Sequence, residues 1–147
     1  MAKAPKAKTA RQVTRAALSD LLQDQDQVKE ALAQMEDSDD FEVGGYRFIR
    51  SVEIDRILEE ELESDEYILG CFNASFLASA TGWPLALIEA AQKGDAYEAL
   101  GKHIVQEGKV CDIARDYVSA DGYGHYFATY DDHEHDIGPD WYGFRRD

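Results

Sequence analysis

Apolar residues recur at helical spacing early in the chain: Leu18, Leu21, Val28, Leu32 and Met35 follow a 3-4-3-4-3 series in which Gln25 takes the one polar place. The spacing predicts one long helix over residues 10–36, ended by the acidic turn Glu36-Asp37-Ser38-Asp39-Asp40. Such a seam serves two arrangements, an amphipathic helix docked on its own domain or a homodimer through residues 10–36 in which the polar seam residue sets register. Residues 41–49 then alternate around Gly44-Gly45, a pair able to adopt the positive φ of a two-residue turn, and read as a β-hairpin with Phe41 and Val43 facing Phe48 and Tyr46.

The middle of the chain is helical in pattern. Ser51 can cap a helix that runs to about Ser64, with Ile54, Ile57, Leu58 and Leu62 inward and Glu59, Glu60, Glu61 and Glu63 mostly outward. A largely buried helix is expected over 66–81, including Tyr67, Cys71, Phe72 and Phe76. Pro84 restarts the chain at the head of a helix closed by Gly94, Asp95 can cap another through Leu100 and Ile104, and Gly108 separates a last helix at about 110–119. No basic recognition helix accompanies these turns, so sequence-specific nucleic-acid reading is not expected.

The tail changes character. Residues 117–144 hold eight of the 16 aromatic residues, and His125–Tyr130 alternates as a strand would. Asp132-His133 can turn the chain, His135–Ile137 can return it, and Trp141–Arg145 can add a third strand. The fold class that follows is α+β: a helical body with a long N-terminal helix and a small antiparallel sheet formed by the C-terminal aromatic strands, with the 41–49 hairpin available to join it.

Composition adds an organisation. Residues 1–10 are Lys/Ala/Pro-rich with little to bury and read as a basic disordered arm, leaving 11–147 as a single acidic domain. The 44% hydrophobic content suits a globular chain. No apolar stretch behind the arm suggests a secretory signal or a bilayer span, so a cytoplasmic protein without membrane partners is expected. Cys71 and Cys111 form no Cys-x-x-Cys pair and read as reduced thiols in or near the core.

Charge changes the picture most. Residues 1–16 carry five Lys/Arg and no acid, whereas 19–66 carry 17 Asp/Glu against four Lys/Arg, within a chain of formal net charge -15. Self-repulsion on that scale serves solubility or the recognition of something cationic. Duplex DNA presents one negative charge per about 1.7 Å of axis, so about twenty surface carboxylates would imitate about 34 Å of duplex. Asp37, Asp39, Asp40, Glu59, Glu60, Glu61 and Glu63 are the candidate contacts, followed by Asp65 and Glu66.

Catalytic candidates are fewer. On one strand face, His133 and His135 could share a metal with His125 or Asp131 and leave a position open for hydrolysis. If Asp132-His133 forms the turn, His133 sits at its tip and Tyr130 pairs with His135, which accounts for the same letters structurally. Ser75 and Ser79 lack a nucleophile elbow, Gly122-Tyr123-Gly124 lacks the spacing of a phosphate loop, and neither cysteine has a nucleophile signature. The chain therefore reads as a binding protein before an enzyme, with no cofactor implied.

The stretch from Gly122-Tyr-Gly-His-Tyr-Phe-Ala-Thr-Tyr-Asp-Asp-His-Glu to Tyr142-Gly-Phe-Arg resembles the ending of small proteins encoded by phages and other mobile elements, and the Trp83-Pro84 junction has a similar look. The resemblance covers about half the chain and transfers no catalytic residue. It implies an accessory protein acting on host machinery, a group that includes acidic antirestriction and anti-CRISPR proteins. Together with the charge, it gives the expectation of an inhibitor that presents a nucleic-acid-like carboxylate surface to a host nucleic-acid-binding protein. The alternatives are a metal-dependent hydrolase using the C-terminal His/Asp cluster and a dimeric helical scaffold.

Overall fold

The computed structural model describes residues 9–147, and its first departure from the sequence pattern is at Gln23. Instead of one helix over 10–36 there are two, α1 (Ala10–Leu22) and α2 (Gln25–Asp37). Gln23 takes a left-handed conformation at φ 58°, and the Asp24 carboxylate then caps α2 by accepting from the amides of Asp26 and Gln27. The helices run antiparallel: Arg11 near the start of α1 meets Glu36 near the end of α2 at 3.1 Å. The seam therefore closes on itself, and Leu18, Val28, Ala31, Leu32 and Met35 are buried within one folded unit. At the head of α1, Thr9 and Gln12 form a capping box. The expected basic arm falls almost wholly on residues 1–8, outside the described residues.

Two units share the chain: unit 1 holds the described residues up to Glu53 together with Tyr123–Asp147, and unit 2 is Ile54–Gly122. In unit 1, β1 (Asp40–Val43) and β2 (Tyr46–Arg50) form the hairpin around Gly44-Gly45, pairing Phe41 with Phe48 and Val43 with Tyr46. Far along the sequence, β4 (Trp141–Arg145) pairs antiparallel with β2, and the two-residue β3 (His135–Asp136) pairs with β4, giving the order β1-β2-β4-β3. One sheet face, with Phe41, Val43, Phe48 and Trp141, packs on the α1–α2 hairpin. On the other, Phe144 stacks with Phe127 of α9 (Tyr123–Phe127), and the Arg47 guanidinium lies 5.0 Å from the Phe127 ring.

Here the tail departs from expectation. Residues 123–127 are helical, so the strand expected over 125–130 is absent and Tyr130 does not pair with His135. Gly124 explains why the helix sits so close to the following turn: a Cβ there would lie 2.2 Å from the Asp132 carbonyl oxygen. With that strand gone, Asp132-His133 turns no hairpin, and the returning strand is His135–Asp136; as expected, the sheet is antiparallel, Trp141–Arg145 is one of its strands and the 41–49 hairpin joins it.

Unit 2 consists of α3 (Ile54–Glu63), α4 (Glu66–Cys71), α5 (Ala74–Thr81), α6 (Leu85–Lys93), α7 (Tyr97–Gln106) and α8 (Val110–Asp121). Ile54, Ile57, Leu58 and Leu62 form the buried stripe of α3, as their spacing predicts, but Ser51 precedes the helix by a turn and is not its cap. The helix expected over 66–81 is broken at Asn73, whose side chain caps α5 by accepting from Ser75 and Phe76. Gln92 of α6 reaches the exposed end of α4 and donates to the carbonyls of Gly70 and Phe72 at 3.0 and 2.8 Å. Cys71 and Cys111 are both exposed, not packed in the core; each falls on the outer side of its helix because neighbouring Leu69 and Ile113 take the inward positions.

Candidate functional site

Two glycines shape an acidic concavity in unit 2. At Gly70 of α4 a Cβ would stand 1.8 Å from the Tyr97 carbonyl oxygen, and at Gly101 of α7 it would stand 1.6 Å from that of Glu66. Only glycine lets these helix backbones approach so closely. The crossing brings the start of α4 against Gly101 in the middle of α7 and the end of α4 against Tyr97 at the start of α7, and the Tyr67 and Tyr97 rings meet edge to face at 5.8 Å.

Around that contact lies a groove of about 570 Å³ lined by Glu63, Ser64, Asp65, Glu66, Tyr67 and Glu98. Among the described residues it has four carboxylates in its lining and no Lys or Arg. Local structure fixes its floor: Asp65 caps α4 by accepting from the Ile68 amide at 3.1 Å, and the Ser64 hydroxyl donates to the Glu61 carbonyl at 2.8 Å. Tyr67 is 57% exposed and is accompanied by exposed Ile68. A hydrogen bond with the Cys71 side chain is the main cause that pushes the Tyr67 phenol above its ordinary 10.0, so it is neutral at physiological pH. A neutral aromatic face ringed by carboxylates suits a guanidinium or ammonium group, which gains from both.

The other expected contact residues are distributed differently. On α3, Glu60 pairs with Arg56 at 2.9 Å one turn away, and Glu59 accepts from the Cys111 thiol, a bond that is the leading cause of that thiol's raised pKa. Glu61 is half-exposed. Asp37, Asp39 and Asp40 belong to unit 1. Asp40 receives two guanidinium bonds from Arg47, at 2.8 and 2.6 Å, and Asp39 receives one from Arg50 at 2.7 Å. Arg50 also donates to the Met35 carbonyl at the end of α2 and lies 4.5 Å from the Trp141 ring. Asp39 and Asp40 thus hold the hairpin in place. Asp37 is exposed.

The structure therefore gathers Glu63, Asp65 and Glu66 into one groove and adds Tyr67 and Glu98, which sequence reasoning did not select. Glu98 is distant along the chain, and the crossing that delivers it leaves no signal in the sequence beyond two isolated glycines, Gly70 and Gly101, which nothing there pairs. The histidines assemble less. His125 sits on α9 with Nδ1 3.6 Å from an Asp132 carboxylate oxygen, while the rings of His133 and His135 meet at 4.4 Å. Among the described residues no group of three or more His, Cys, Asp or Glu side chains is placed to hold a metal ion. Nor, among them, is any helix long and apolar enough to cross a membrane.

The fold and groove define an α+β chain with an acidic, aromatic-centred concavity. No protein-family model, no curated protein and no solved structure matches the chain.

Proposed function

We propose that this chain is a binding protein that docks its carboxylates on the cationic surface of a nucleic-acid-binding protein and inhibits it by occupying the place of phosphate. The observation that carries the reading is the groove of Glu63, Asp65, Glu66 and Glu98 around exposed Tyr67. Arginine and lysine that grip phosphates would meet carboxylates there, and Tyr67 would stand where a base stacks. Unit 2 as a whole carries 14 Asp/Glu against five Lys/Arg, which steers a cationic partner toward it. The resemblance of the tail to phage and mobile-element accessory proteins fits an inhibitor of host nucleases, restriction or CRISPR effectors, or transcription proteins, working in the host cytoplasm.

The test is capture of host nucleic-acid-binding proteins on the immobilised full chain, with elution by excess duplex DNA or structured RNA. The expected result is a captured nucleic-acid enzyme that the competitor releases and that the triple variant Glu63→Gln, Glu66→Gln, Glu98→Gln no longer retains. Equal retention by the triple variant removes the groove from the interface; retention indifferent to nucleic acid removes mimicry.

A further inference from the structure

At the far edge of the unit 1 sheet, β3 is two residues long and pairs only with β4 among the described strands. His135 pairs with Gly143 of β4, and the Ile137 amide donates to the Trp141 carbonyl at 2.9 Å. The His135 ring stands edge-on to Tyr46 at 5.9 Å and to His133 at 4.4 Å. Its Nε2 atom is buried and has no hydrogen-bond partner among the described residues. Beside it runs a groove of about 640 Å³ lined by Asp20, Leu21, Glu134, Asp136 and both imidazoles. A ring nitrogen without a partner is tolerated while it carries no proton, but protonation there makes a buried N–H donor that finds no acceptor among the described residues.

We propose that the His133–His135 edge is an acid-sensitive latch: with neutral imidazoles β3 stays on β4, and protonation of His135 releases residues 131–137 from the sheet and uncovers Ile137. Ile137 is 1% exposed and belongs to the unit 1 core, so its release loosens the packing of the α1–α2 hairpin on the sheet. The groups around His135 set the balance. Tyr46 of β2 and His133 meet its ring, Asp131 acts on it from its own segment, and Asp20 of α1 with Glu134 and Asp136 line the same groove. Arg145 of β4 lies on the same strand face as Gly143, but its guanidinium donates to the Asp147 carbonyl and lies over Tyr130. Burial is the main cause holding His135 below its ordinary 6.5, the His133 charge adds to it, and Asp131 opposes.

Because the folded value is depressed, the released segment takes the proton first. The latch is at full strength above the released value of about 6.5 and weakens as pH falls below it, until the folded form also protonates. One proton gained on opening raises the opening constant by up to about tenfold per pH unit in that window.

The test is amide hydrogen exchange on the full chain at pH 7.5 and pH 5.5, expressed as protection relative to the unstructured rate at each pH. Protection at Ile137 should fall severalfold at the lower pH, while the Phe48 amide in the centre of the sheet keeps its value. His135→Phe, which keeps a ring against Tyr46, should remove the response, and His133→Gln should reduce it. Equal protection of Ile137 at both pH values overturns the latch, as does an undiminished response in His135→Phe, which assigns it to the surrounding carboxylates. Should that variant fail to fold, an NMR titration of the His135 ring in the wild-type chain decides: titration coincident with loss of Ile137 protection supports the latch, and titration without it refutes it.

Discussion

In unit 1, Asp39 and Asp40 are each gripped by an arginine of β2, and those same guanidinium groups stack on Trp141 and Phe127. In unit 2, Glu63, Asp65, Glu66 and Glu98 line a groove together with Ser64 and Tyr67. Both regions come from acidic stretches that look alike as letters. One is consumed by its own fold and the other is displayed. Carboxylate density along a chain therefore says little about recognition until the cations nearest in space are known, and sequence separation hides them: Arg47 lies seven residues from Asp40, whereas among the described residues no Lys or Arg lines the groove.

The change with the largest expected effect strikes the display side. Gly101→Ala places a methyl group against the Glu66 carbonyl and should cost about 3 kcal/mol or more, read as a fall in the urea midpoint, because backbone cannot yield as a side chain does. The same variant should abolish retention of a nucleic-acid-binding partner, since the α4–α7 crossing forms the groove. A smaller effect is expected on the consumed side. Asp40→Ala leaves the Arg47 guanidinium, 13% exposed, without its two-bonded carboxylate and should cost about 2 kcal/mol. Partner retention should not change. The smallest effect divides the two roles within one residue: Asp65→Asn keeps the cap on Ile68 and should alter stability by less than about 0.5 kcal/mol, whereas Asp65→Ala should cost about 1 kcal/mol. If the groove binds cations, both substitutions weaken binding alike; binding that follows stability instead shows Asp65 to be a cap alone.

Much of the fold was legible where a pattern is local. Gly44-Gly45 set the register of β1 and β2 to the residue, and Trp141–Arg145 emerged as a strand at its observed position. The missed breaks at Gln23 and Phe72 share a cause: a 3.6-residue periodicity survives a fold-back as well as it survives continuation. The signals present were Asp24 and Asn73, both good N-cap residues that each lie inside an apparently unbroken run. The expected strand over His125–Tyr130 failed because alternation over so few residues also suits one helical turn with Phe127 inward. At the site, Glu63, Asp65 and Glu66 were legible from charge. Tyr67 and Glu98 depended on a helix crossing that two glycines permit, and nothing short of three-dimensional contact connects Gly70 to Gly101.

The strand order of unit 1 also dictates a timetable. β4 lies between β2 and β3, yet it is synthesised after the whole of unit 2. Until then the β1–β2 hairpin exposes the edge of β2 that β4 will cover, while unit 2 already has all its helices and can close. The interval during which that edge is open to other strands is set by how fast the ribosome traverses Ile54–Gly122, so slow translation there lengthens exposure to aggregation without altering the finished structure.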